Sequence, residues 1–318
     1  MDELLCTEST SSINTPSNNG ETPYTNTCSS SFSTDSIYDK HIYENPKVLE
    51  TLLASQMKNL PSNEYLKPNR SNVTTHIRNV LVHWMLDLCD DRNCEDQVFI
   101  VAVNLLDRFL SSMTILRSQL QLAACVCLLI ASKIRQTHFL DVQTLSYFTE
   151  DSITHLELKQ WEVLVLAKLG WDMTPVTSFD FIEPLLSLFA ALPNRERVRK
   201  HALAYIAYVA TDFEFVSRLP SHIAAAAIVV ALEGLGIYIP FSMERLVAAV
   251  NSTISEIQPT KSLIEMSVYN YMQSMNAVNH NNNEISDNHF LGENKFAMDS
   301  TSKINGKVTP TDVTDIQF

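Results

Sequence analysis

At 318 residues, 45% of them hydrophobic, the chain is long enough for two globular domains. Its formal net charge of −13 disfavours phosphate contacts, which need a basic face, so no nucleic acid is expected among its partners. The six cysteines show no disulfide pattern and the N-terminus is acidic and polar rather than a signal peptide, so a reducing compartment is expected. No G-x-G-x-x-G or P-loop is present.

Residues 1–37 open M-D-E-L-L-C-T-E and continue rich in Ser, Thr and Asn, too poor in large apolar groups to fold, which predicts a disordered arm. Apolar periodicity returns at Ile42, Val48, Leu49, Leu52, Leu53 and Met57, predicting a helix over 38–60 that Pro61 and Pro68 break. A first domain, 38–171, then carries five helical stretches, at 73–91, 95–111, 118–135, 141–148 and 154–169. In the first, Ile77, Val80, Leu81, Trp84, Met85 and Leu88 recur at helical spacing. The second ends L-L-D-R-F-L, placing Asp107 and Arg108 among bulky apolar neighbours. The third is apolar on nearly every face from Leu120 to Ala131, shorter than the roughly 18–20 residues of a membrane span, and flanked by Gln119, Gln121 and Lys133. It predicts a buried helix with the others packed around it, and no membrane partner. Asp141 and Thr154 stand as N-caps before periodic runs, and Gly170 with Pro175 ends the unit.

A second domain, 172–277, has stretches near 178–189, 195–216, 221–235, 242–251 and 259–275. Its third is again apolar all round, at Ile223–Leu232, offset by roughly one hundred residues from its counterpart. The expected fold is therefore all-α: two tandem five-helix domains with disordered tails, the second tail being 278–318. No metal or cofactor is expected. Cys125 and Cys127, two apart on a helix, point to opposed sides; Cys89 and Cys94 lack a second pair at ligand spacing; the nine histidines form no H-E-x-x-H.

The run H-I-R-N-V-L-V-H-W over 76–84, then L-D-R-F-L, then L-Q-L…A-S-K, resembles the cyclin box. The longer stretch W-M-L-D-L-C-D-D-R-N-C-E-D-Q-V-F, followed by D-F-I-E, is similar to D-type (G1) cyclins rather than mitotic ones. The resemblance implies a regulatory subunit, not an enzyme, that activates a G1 cyclin-dependent kinase toward retinoblastoma-family proteins, in the nucleus and cytoplasm. The alternative is an adaptor of the same fold that activates no kinase. Kinase inhibitors and a ubiquitin ligase are further partners that the resemblance suggests.

Residue by residue, it implies a buried ion pair between Arg78 and Asp107, and kinase contacts from Lys133 and Glu162, with Leu128, Ile134, Phe139, Leu140, Phe148 and Leu166 as candidate extensions. Ile77, Val80, Leu81, Trp84, Leu120 and Gln121 match a patch that docks Arg-x-Leu substrates, although Ile77, Asn79 and His83 stand where Met, Ala and Asp are common. At the two ends, Leu4, Cys6 and Glu8 form an L-x-C-x-E motif similar to the retinoblastoma-binding one. Thr309 and Pro310, in T-P-T-D-V, resemble a phosphorylation-dependent degradation signal.

Overall fold

The computed structural model describes residues 39–67, 73–189 and 191–286. Among these, twelve α-helices and no strand are found. Helices α1 (Lys40–Tyr43) and α2 (Pro46–Ser55) replace the single helix expected over 38–60. The break has a local cause: Asn45 accepts from the Lys47 N–H at 3.1 Å and Pro46 takes the first helical position, where its missing N–H costs nothing.

The first bundle comprises α3 (Thr75–Asp91), α4 (Asp96–Ser112), α5 (Leu120–Arg135), α6 (Val142–Phe148) and α7 (His155–Lys168). Helix α5 is its axis and packs on α3, α4 and α7. Together with the 3-10 turn before it, the segment Arg117–Arg135 is long and apolar enough to cross a membrane. Yet every residue from Leu122 to Ser132 is buried inside the protein, so its apolar surface is spent on its neighbours. The predicted caps are present: Asp141 accepts from the Thr144 N–H at 2.6 Å, and Thr154 forms a reciprocal capping box with Glu157. Gly170 (φ 62°) ends α7 in the left-handed region, and the Trp171 N–H returns to the Leu166 carbonyl at 2.9 Å.

The second bundle repeats the plan with α8 (Ser178–Ser187), α9 (Arg195–Ala210), α10 (Pro220–Gly234), α11 (Ser242–Ala249) and α12 (Ile254–Ser286). Here α10 is the axis, buried from Ile223 to Leu232 and packed on α8, α9, α11 and α12. Helix α12 runs to Ser286, so the boundary expected at 278 falls inside it. The polar run after Ala277 holds neither Gly nor Pro until beyond that point, and polarity alone does not end a helix.

The two bundles meet through α4 against α9, and through α3 against a 3-10 turn at Phe213–Phe215. At this junction Arg78 is buried, with 1% of its surface exposed. Its Nε and Nη2 donate to the two carboxylate oxygens of Asp107 at 3.0 and 2.8 Å. Its Nη2 also donates to the Ala210 carbonyl at 3.1 Å, and Nη1 to that of Thr211 at 2.9 Å. Tyr65 completes the cluster, its hydroxyl donating to Asp107 at 2.6 Å. Burial beside Asp107 pushes the Tyr65 hydroxyl well above its ordinary range. Burial opposes the charged form of Arg78, but the Asp107 carboxylate outweighs it and raises the guanidinium's pKa. The arginine thus caps α9, whose last carbonyls have no partner within the helix. This explains why α9 stops at Ala210 rather than running on to 216 as the sequence pattern predicts. Removing one member of such a cluster strands the other charge. Arg78→Ala is expected to cost about 3–5 kcal/mol of stability, read as a lowered urea midpoint; an unchanged midpoint would show that the cluster does not hold the bundles together.

Candidate functional site

Lys133 sits in the last turn of α5, where the exposed carbonyl ends of the helix favour a cation. Glu162 lies on α7, directly after Trp161, whose ring packs edge-on against Phe109 at a centroid distance of 6.2 Å. With Trp161 holding the inner side, Glu162 meets Lys133 across the α5–α7 contact, Nζ to Oε1 at 2.5 Å. The pair is reachable from solvent: 37% of the lysine side chain and 19% of the glutamate side chain are exposed.

The backbone leaving α5 is pinned rather than loose. The Ser132 hydroxyl accepts from the Leu140 N–H at 3.1 Å. The Gln136 side chain accepts from the Glu95 N–H at 3.2 Å and donates to the His138 carbonyl at 2.6 Å. This turn lifts Ile134 and Phe139 outward, at 39% and 53% exposure. Tyr147 on α6 and Val163 on α7 are exposed as well. The ion pair thus has exposed apolar Ile134 and Val163 next to its members in the chain, with Phe139 and Tyr147 exposed on the segments that follow α5. That is surface suited to a protein partner, not to chemistry on a small substrate.

Of the apolar residues that the sequence offers as extensions, Ile134 and Phe139 are exposed, and Phe148 and Leu166 are half-buried with the Arg92 guanidinium 4.7 Å from the Phe148 ring centre. Leu128 and Leu140 are core. Tyr147 and Val163 escape sequence reasoning: an apolar residue on an amphipathic helix reads as core until its neighbours are known. One signal was present, since α7 carries Leu156 and Val163 seven apart, on the side opposite the buried Leu158 and Val165.

The residues matching a substrate-docking patch lie on α3 and at the start of α5. Val80 and Gln121 are half-buried; Ile77, Leu81 and Trp84 are buried with 7–9% of their surface left; Leu120 is fully enclosed. Asn79, with its amide turned to donate, reaches the Thr211 carbonyl at 3.0 Å, so this departure from the commoner alanine adds a contact to the bundle junction. Among the described residues no group of three His, Cys, Asp or Glu side chains is placed to hold a metal. Leu4, Cys6, Glu8, Thr309 and Pro310 lie outside the described residues.

Two family models match the chain, the cyclin N-terminal domain over residues 47–174 and the cyclin C-terminal domain over 176–291. The G1/S-specific cyclin-D3 of Bos taurus is 38% identical over 62% of this chain and 68% of its own length. The G1/S-specific cyclin-D1 of Homo sapiens is 39% identical over 62% of this chain and 67% of its own. Among solved structures, a viral cyclin from herpesvirus saimiri superposes with a TM-score of 0.64 at 26% identity, covering 70% of this chain and 96% of the viral one.

Proposed function

The chain belongs to the cyclin family, on its D-type branch, and on that premise we propose that it binds and activates a G1 cyclin-dependent serine/threonine kinase, directs it to retinoblastoma-family proteins and so promotes entry into S phase. The observation that carries this reading is the accessible Lys133–Glu162 pair, with exposed Ile134 and Val163 beside it in the chain and Phe139 and Tyr147 exposed on the segments after α5. Covering the apolar members supplies affinity, roughly 0.5–2 kcal/mol for each of Ile134, Phe139 and Val163, of whose surface 39–61% is left to bury. The charged pair supplies orientation.

A protein kinase transfers phosphate only when its own Lys–Glu ion pair and activation loop are in place. A regulatory subunit whose surface fits that arrangement binds it better than the inactive one, and its differential affinity moves the population. No group on this chain need enter the reaction. The pair suits such work because exchanging an exposed ion pair for contacts with a partner costs little; exposed pairs contribute about 0–1 kcal/mol. The enclosed state of Leu120 leaves Val80, Gln121 and the margins of Ile77, Leu81 and Trp84 as the surface an Arg-x-Leu substrate would meet.

The terminal motifs extend the proposal. Leu4, Cys6 and Glu8 would bind a retinoblastoma-family pocket as an extended strand, alternate side chains facing inward. Phosphorylation of Thr309 would add about −1.5 to −2 charges and an Arg-binding handle for export from the nucleus and destruction by a ubiquitin ligase.

Lys133→Ala and Glu162→Ala are expected to abolish co-purification with a G1 cyclin-dependent kinase while leaving Tm and helical circular dichroism unchanged; retained co-purification would refute the assignment. A peptide of residues 1–12 is expected to bind a retinoblastoma-family pocket in fluorescence polarisation, and one with Cys6→Arg and Glu8→Lys is not; equal binding by the two would remove that partner. In a translation-block chase, Thr309→Ala should outlive the wild type while activating kinase equally in vitro, and identical decay would dispose of the degradation signal.

A further inference from the structure

The end of α3 brings two thiols together by a backbone device. Asn93 takes the left-handed conformation (φ 49°), the Asn93 N–H returns to the Asp90 carbonyl at 3.2 Å and the Cys94 N–H to the Cys89 carbonyl at 2.9 Å. These are the two bonds of a Schellman stop, in which the residue after the left-handed one lies against the residue five before it. Apolar side chains usually fill those two places; here both are cysteines. The two thiols lie close enough to shift each other's titration, and the Gln136 side chain acts on Cys94 as well. Both thiols are free, with Cys89 buried and Cys94 half-buried at the surface.

We propose that Cys89 and Cys94 are a peroxide-responsive dithiol that closes to an intrachain disulfide. The Cys94 N–H bond to the Cys89 carbonyl already holds the two residues against each other, so reaching the ~2.05 Å bond asks for side-chain rotation rather than a large movement of the chain. The roles are unequal. Hydrogen bonds from Cys89, then from Gln136, together with the nearby Arg92 charge, favour the Cys94 thiolate over the opposing effects of burial and Asp90, and its pKa falls below the ordinary thiol value. Cys89, as the donor and the more deeply buried, is held protonated. Cys94, the one of the two that solvent reaches, is the attacking sulfur, and the buried Cys89 the resolving one.

The Cys94 thiolate displaces hydroxide from hydrogen peroxide: an S–O bond forms, the O–O bond breaks, and two electrons pass from sulfur to oxygen, leaving Cys94 sulfenic acid. The Cys89 sulfur then attacks the Cys94 sulfur. The S–S bond forms, the S–O bond breaks, and the departing hydroxide takes the Cys89 proton as water. In sum, two thiols and one peroxide give one disulfide and two waters. Cys125 and Cys127 take no part, because both are fully enclosed and burial pushes their thiols above the ordinary range. The device sits close to the proposed partner face, since Gln136, which acts on Cys94, follows Lys133 by three residues, but the chemistry does not depend on what that face binds.

The test uses the full chain with Cys6 and Cys28 replaced by serine. On peroxide treatment the intact mass is expected to fall by about 2 Da, with peptide mapping joining residues 89 and 94, and dithiothreitol reversing the change. Cys89→Ala should halt at a sulfenic acid on Cys94, trapped by a 1,3-dione probe, and Cys94→Ala should leave Cys89 reduced. Gln136→Ala, which leaves both cysteines in place, should slow closure several-fold. Both thiols remaining alkylatable after peroxide, or equal oxidation of Cys89 in the Cys94→Ala chain, would overturn the proposal.

Discussion

Arg78 spends four of the five N–H donors of its guanidinium on two separate parts of the chain: both oxygens of Asp107 on α4, and the carbonyl that ends α9 with the one after it. Each group in this cluster would be costly to bury alone, the charges most of all. Together they are neutralised and hydrogen-bonded, and the geometry in which this happens is also the geometry in which the two bundles meet. A hydrophobic contact at the same place would permit some sliding; a planar fork facing a carboxylate on one side and two carbonyls on the other does not. The junction is further tied by Arg108, which donates to the Asp172 carbonyl at 2.9 Å, and by Lys58, paired with the Asp172 carboxylate at 2.9 Å. Adjacent residues of α4, Asp107 and Arg108, therefore hold opposite sides of the link between the bundles.

The surface proposed to meet a partner rests on the first of these two bundles. Helices α5 and α10 are enclosed on all sides, and only their ends reach solvent. Lys133 of the Lys133–Glu162 pair is located at such an end, where a helix can present a side chain that its enclosed middle cannot. Ser132, Gln136 and the start of α4 then fix the turn that follows, so that Ile134 and Phe139 are exposed on an ordered backbone. A surface held this way loses little conformational entropy on binding, which is what a subunit selecting one conformation of its partner requires.

The same end-of-helix logic governs α3. Its Schellman stop would work with any two apolar residues in the contact, and the pairing of Cys89 with Cys94 adds chemical reactivity to a structural element. In the sequence these cysteines, five positions apart across Asp90–Asn93, resemble half of a metal site lacking its second half. Their real relationship depends on the left-handed turn at Asn93, which spacing does not reveal.

What the sequence determined by itself was the all-α class, the two-bundle repeat, the enclosed central helices, the caps at Asp141 and Thr154, and the stop at Gly170. These follow from local rules, since helical periodicity and terminal hydrogen bonds are decided within a few residues of where they act. The family and its two charged pairs were also legible, because their motifs are contiguous. Only the tertiary structure decided that Arg78 caps α9, across 132 and 133 residues of chain, and so ends that helix early. It alone separated Phe139, Tyr147 and Val163, which face solvent, from Leu128 and Leu140, which do not. An apolar side chain carries the same pattern in the core and at an interface, and the difference lies in which neighbours the fold brings against it.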